Sequence, residues 1–162
     1  MDVIYTLTLD ADGGTLFGQD SFAFNLKFND TLALSAFVPE KAGHTFLGWK
    51  KSGESGYTSS VTVDTAFGDS LTLTAVWAKD ITLAFDLDYE TTEILDSIVT
   101  SVGASLTLPE PNERDGYTFD GWYTEKNGGG RRVTDGVLAD LGTDAGATVT
   151  LYAKWTEEVP AP

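Results

Sequence analysis

The chain has one histidine, His44, and a large surplus of carboxylates, and these bound the acid–base chemistry open to it. An imidazole that titrates near neutral pH is a ready general base. Here it takes the place that Tyr117 holds in a second, similar stretch, so it reads as an aromatic-sized filler of a strand. Among the acidic residues, no two stand out as the paired carboxylates of a glycosidase. Asp10 and Asp12, in "DADGG", offer hard oxygen ligands to calcium, and Asp86 and Asp88 repeat the spacing. The complete calcium loop, with a third early ligand, glycine at its sixth position and glutamate at its twelfth, is absent. The four aspartates read instead as strand ends that start turns. "NGGGRR" at 127–132 could aim amides and arginines at an anion. Its glycines equally supply the positive φ of a hairpin turn, a job that "SGESG" does in the first stretch without any arginine. Lys27 and Lys154 could each donate to an isopeptide bond with an asparagine, but no spacing marks the acid that would shuttle the proton. The reading is therefore of no catalytic residue, no metal site and no cofactor.

The bulk properties narrow the partners. A formal charge of −15, from 25 acidic against 10 basic side chains, repels phosphate backbones and anionic membranes. With no cysteine, disulfides, thiol nucleophiles and thiolate metal sites are excluded. No run approaches the roughly 18 apolar residues of a membrane span, and residues 1–20 lack the basic start and apolar centre of a signal peptide. Met1 is accordingly expected to be the start of an excised fragment. Hydrophobic residues at 41% and aromatics at 12% give enough apolar material for a packed core.

What positions these residues is a duplication. "GHTFLGWKK" from Gly43 and "GYTFDGWYT" from Gly116 align at an offset of 73 residues, matching Phe46 with Phe119, Gly48 with Gly121 and Trp49 with Trp122. Each copy opens alike ("YTLTLDAD", "ITLAFDLD") and closes alike ("LTLTAVW", "VTLYAKW"), and these segments alternate with the two-residue period of a half-buried strand. Leu71, Leu73, Ala75 and Trp77 share one face, as do Val149, Leu151, Ala153 and Trp155. Between them, Phe22, Phe24, Leu26 and Phe28 alternate, and residues 93–102 are read as the counterpart strand, although their spacing would also suit a helix face. Each unit should hold four or five strands. "VWAKDIT" leaves about three residues between the last strand of one unit and the first strand of the next.

"LTLDADGGT" at 7–15, "LPEPNERDGYTFDGWYTEKNGGG" at 108–130 and "TLYAKWT" at 150–156 resemble the B-repeat of listerial internalins, the Listeria-Bacteroides repeat, in two tandem copies. Copy one departs from the pattern at His44, Lys50 and Lys51, and copy two has "DLDYE" in place of "DADGG". The resemblance implies mainly β, β-grasp-like modules (α+β at most) set end to end, residues 1–79 and 80–158, with a linker starting at 159–162. It also implies a non-catalytic stalk and interaction domain of a larger bacterial surface or secreted protein, facing a protein or glycan. The alternative is a carbohydrate-binding module that uses exposed aromatics such as Tyr57, Tyr89, Tyr123 and Tyr152.

In a flat strand Trp122 would point away from the side of Tyr117 and Phe119. A bulge at Gly121 removes the conflict, because glycine in a strand marks an extra residue or a close backbone approach. The structural motif is then Gly43, Phe46, Gly48, Trp49 and Trp77 in copy one, and Gly116, Tyr117, Phe119, Gly121, Trp122 and Trp155 in copy two. All four tryptophans are expected in the core.

Overall fold

The computed structural model describes residues 3–159, so Met1 and most of the expected linker at 159–162 lie outside the described residues. The chain divides into two units, Met1–Ala78 and Lys79–Pro162. In the first unit the strands are β1 (Tyr5–Asp10), β2 (Ser21–Leu26), β3 (Thr31–Ala33), β4 (His44–Lys51), β5 (Ser60–Thr62) and the first half of β6 (Ser70–Asp86). The second unit takes the rest of β6 and adds β7 (Ile98–Ser101), β8 (Ser105–Leu106), β9 (Tyr117–Glu125), β10 (Gly129–Val133), β11 (Gly136–Val137) and β12 (Thr148–Glu157). The protein is mainly β, and among the described residues the one helical element is a single 3-10 turn, Lys126–Gly128.

Both units use one topology. In the first, β2 runs antiparallel to β1, β1 runs parallel to β6, and β4 pairs with β6. In the second, β7 runs antiparallel to β6, β6 runs parallel to β12, and β9 pairs antiparallel with β12. Parallel neighbours cannot be joined by a tight hairpin and need a long crossover. That crossover carries the motif strand and a small two-stranded ribbon, β3–β5 or β8–β11.

The alternating residues fill two separate cores. Leu7, Leu9, Leu26, Leu73, Ala75 and Trp49 belong to the first, and Ile81, Leu83, Leu151, Ala153, Val133 and Trp122 to the second. Four expectations need correction. The units hold six and seven strand segments, counting β6 in both, and not four or five, because the short ribbons β3–β5 and β8–β11 add to the main strands. No gap follows Trp77: residues 70–86 form one 17-residue strand, because "VWAKDIT" contains no glycine, proline or asparagine to stop it. Residues 93–97 are not strand. The Glu93 N–H donates to Thr91 Oγ1 (3.1 Å) and its carboxylate accepts from Asn112 N (2.9 Å), so local side-chain bonds displace the ladder. Phe28 does not share the inward row, for the chain turns after Leu26 with Asn29 at φ 70° and Asp30 capping the Lys27 N–H, leaving Phe28 49% exposed.

Candidate functional site

The motif strand is bent by its glycine. In the β9–β12 ladder Lys154 faces Gly121 and Trp155 faces Phe119, so Asp120 has no opposite number and a bulge lies next to Gly121. Gly121 has φ 122° and Gly48 φ 149°, a region that side chains avoid. A Cβ would also stand 2.9 Å from Arg132 Nε at Gly121, and 2.9 Å from the Tyr57 ring at Gly48. The kink turns both indoles inward: Trp49 and Trp122 are each 2% exposed. Their Nε1–H groups donate to the Phe37 and Pro109 carbonyls, 2.8 Å in each case. Phe46 and Phe119 pack edge-on against them at 5.3 and 5.4 Å. Gly43 and Gly116, at φ 67° and 73°, form the turns that lead into the strands.

Trp77 and Trp155 are placed differently from the expected full burial. Both are half-buried on the rim of their cores, with Nε1–H donating to Ala11 O (3.0 Å) and Leu87 O (2.8 Å). A cation sits over each. Lys41 Nζ is 5.7 Å from the Trp77 ring and also donates to Asp12 O, while the Arg114 guanidinium is 5.7 Å from Trp155. Arg114 also lies 4.4 Å from Tyr89 and 3.7 Å from Tyr117, stacking that suits a planar, weakly hydrated cation. Beside it opens a groove of about 670 Å³ lined by Glu110, Glu113, Asp115, Tyr117, Trp155 and Glu158. In the first unit the matching hollow, about 510 Å³, is lined by Gly13, Gly14, Glu40 and Lys41. Sequence reading missed Lys41 and Arg114. The signal was present, since each stands two residues before the motif glycine.

The remaining candidates are dispersed. His44 Nδ1 lies 2.8 Å from the Ala42 carbonyl, an acceptor only, so that nitrogen carries the hydrogen. Asp10 and Asp86 each accept the N–H two residues on, from Asp12 (2.9 Å) and Asp88 (2.8 Å), with Asp12 and Asp88 at positive φ. They close turns. Among the described residues no three acidic or histidine side chains converge as metal ligands. The arginines of "NGGGRR" are exposed but held against the surface by backbone carbonyls: Arg131 donates to Asp140 O (2.9 Å) and Arg132 to Asp120 O (2.8 Å). Lys154 lies over the Tyr123 ring, and Lys126 over Tyr152, which faces Tyr123 across the ladder. Tyr89 packs against Trp155, and Tyr57 covers Gly48 while 57% exposed. Lys27 follows the end of β2. The Asp140 carboxyl is held below its ordinary range, first by the hydrogen bond from Lys79 at 2.6 Å and then by the Gly142 N–H. Among the described residues no helix is long and apolar enough to cross a membrane.

Comparison with known proteins matches the sequence to repeats. Residues 5–76 and 82–154 each match the family model described as the Listeria-Bacteroides repeat domain. Internalin H of Listeria monocytogenes is 30% identical over 154 residues, covering 94% of this chain and 25% of its own length. A putative membrane protein of Evansella cellulosilytica is 31% identical over 156 residues, and a second from that organism, a putative Gly-rich membrane protein, 26% over 155. Each is matched over 93% of this chain, which spans only 22% and 16% of their lengths. Among solved structures, a pair of streptococcal SHIRT domains from a cell surface protein aligns over 97% of this chain and 99% of its own, at 12% identity and a TM-score of 0.28. With two matched segments that together fill most of its length, the chain belongs to the Listeria-Bacteroides repeat domain family as two tandem copies.

Proposed function

We propose that this chain is a non-catalytic spacer and protein-interaction segment of a larger bacterial cell-surface or secreted protein. One observation carries the reading: in both copies the two tryptophans are tied by their indole N–H to a backbone carbonyl, so the repeated residues are committed to holding the sheet. The names of the relatives, an internalin and two membrane proteins, support the surface location. The fraction of their length that is matched supports a multidomain parent. The strand order, with first and last strands parallel at the centre, supports a β-grasp-like module in which a ribbon replaces the helix.

That order also suits a load-bearing spacer. Each unit begins and ends on adjacent parallel strands, β1 with β6 and β6 with β12, so pulling on the ends loads a row of ladder hydrogen bonds together. Single-molecule stretching should give two separate unfolding steps, each lengthening the chain by at most roughly 260–300 Å less the folded span, for units of 78 and 84 residues. Extension without a force peak would defeat the spacer reading. The groove beside Arg114, with Tyr117 and Trp155 at its wall and carboxylates at its rim, favours a second reading as a carbohydrate-binding module. A glycan panel decides this: saturable sugar binding that Trp155→Ala removes would replace the first reading with the second.

A further inference from the structure

We propose that the free edge of β2 in the first unit is a docking strand for an extended segment of a partner protein. The segment alternates apolar residues and carries a basic residue at its end. This deepens the protein-interaction half of the function proposed above and rests on it. The backbone direction follows from two bonds. Thr6 N donates to Asp69 O on the β6 side, and Ala11 N donates to Asp20 O on the β2 side. In a β-ladder these directions alternate residue by residue, so Tyr5, Leu7 and Leu9 exchange hydrogen bonds with Leu26, Phe24 and Phe22. The N–H and C=O groups of Ser21, Ala23 and Asn25 therefore face outward. Among the described residues they have no backbone partner, and β2 is the last strand of its sheet.

Proteins blunt such edges with charge, proline, bulges or short length. The second unit does so by length, for the equivalent β7 has four residues. β2 has six, "SFAFNL", with no charge, no proline and a ladder to β1 free of register shifts. An aromatic shelf lies along it. Phe22 and Phe24 lie 5.0 Å apart with their rings tilted by 53°, and Phe24 meets Phe37 at 4.9 Å. Phe17 joins edge-on to Phe22 at 5.6 Å and to Phe37 at 6.1 Å while remaining 65% exposed, and Val38, which follows Phe37 in the chain, is 60% exposed. Phe17 also holds φ 53°, a left-handed conformation that bulky side chains avoid. An exposed phenylalanine kept at a strained turn position beside an open strand edge marks a contact surface. A strand added there completes its ladder on Ser21, Ala23 and Asn25 and lays alternate side chains on the shelf. Asp20 adjoins Ser21, Asp10 pairs with it, and Asp12 follows Asp10, so carboxylates gather at that end of the strand. They select a lysine or arginine in the partner.

The test uses the whole chain and a labelled synthetic peptide that alternates valine with threonine and has lysine at both ends, followed by fluorescence anisotropy. Binding is expected, weakening as salt rises. Ala23→Pro removes an outward N–H without breaking a bond to β1, so it should leave melting unchanged and weaken binding about tenfold or more. Phe17→Ser should also weaken it. A control peptide with proline at its central positions should not bind the unaltered protein, which keeps the test independent of how any variant folds. Equal binding by Ala23→Pro, equal binding of the control peptide, or no binding at low salt overturns the proposal. So does a wild-type dimer that Ala23→Pro dissolves, since the edge would then serve self-pairing. The force steps are measured without peptide, so failure here leaves the spacer reading standing or falling on its own.

Discussion

Trp122→Ala tests the central structural claim, that the kinked motif strand exists to bury an indole. Trp122 is 2% exposed and packs against Phe85 at 4.9 Å and Phe119 at 5.4 Å. Burying a side chain of this size removes about 150–250 Å² from water, roughly 4–6 kcal/mol as an upper bound. Truncating such an aromatic to alanine costs about 3–5 kcal/mol once the cavity is included. The substitution also strands the Pro109 carbonyl that now accepts the indole N–H. For a unit of this size each kcal/mol moves the midpoint by about 4–8 °C, so a shift of at least about 12 °C is expected. Because the two cores are separate clusters, the loss should appear as a biphasic melt in which only the second unit moves. Hydrogen exchange assigns the phases: early exchange should fall on Tyr117–Glu125 and Thr148–Glu157, while Tyr5–Asp10 keeps its protection. Trp122→Phe separates the contributions, retaining much of the ring and losing the N–H bond for about 1–2 kcal/mol. An unchanged melting profile for Trp122→Ala would refute the reasoning outright.

Three further outcomes follow from local geometry. Gly14→Ala places a Cβ 2.6 Å from both the Glu40 carbonyl and the Trp77 ring, with no unusual φ involved, so it should destabilise the first unit alone by about 1–3 kcal/mol and change Trp77 fluorescence. Arg114→Ala removes a partly exposed cation from between two tyrosines; about 0.5–1 kcal/mol is expected by denaturant titration, with altered near-ultraviolet dichroism from Tyr89, Tyr117 and Trp155. Asp140 has a depressed folded pKa, so what it contributes is present above its unfolded pKa and is lost as pH falls through the folded value. Protection of the Gly142 amide should therefore drop in acid below the ordinary carboxylate range, and Asp140→Asn should abolish that pH dependence.

The strands were legible because alternation in this chain is nearly unbroken: Leu71 to Trp77 and Val149 to Trp155 keep one period throughout. The bulge was legible for the opposite reason. Phe119 and Trp122 fall out of phase, and the one residue between them able to absorb the shift is Gly121. Residues 93–97 misled because Ile94 and Leu95 carry the hydrophobicity of a strand while Thr91 and Glu93 supply competing bonds. That outcome depends on Asn112, 19 residues away, which no local window contains. The cation over each rim tryptophan was also hidden, since Arg114 and Trp155 meet only through the ladder that joins β9 to β12.

The two copies differ most where the fold constrains them least. The buried indoles and their carbonyl bonds are the same in both units, each ring being 2% exposed and each N–H donating to a backbone carbonyl just ahead of the motif strand. At the rim the first unit has Gly13, Lys41 and His44 where the second has Tyr89, Arg114 and Tyr117. Gly14 fits against the Trp77 ring with no room for a Cβ, so that ring is braced by backbone, whereas Trp155 is braced by Tyr89 at 5.5 Å. Phe46 and Lys41 also pack on Trp77, as Phe119 and Arg114 do on Trp155, so the difference is Gly14 against Tyr89, and it is Tyr117 with Trp155 that gives the second unit an aromatic wall beside its groove. The edges diverge in the opposite sense: β2 is long, uncharged and flanked by phenylalanine, and β7 is short. A duplicated frame has thus been given two unlike surfaces, and a ligand that recognises one unit through its edge or its aromatic groove wall meets different chemistry at the equivalent place on the other. Binding measured on the whole chain should therefore saturate at one partner per chain for the β2 peptide, and a stoichiometry of two would show that the difference between the edges carries no selectivity.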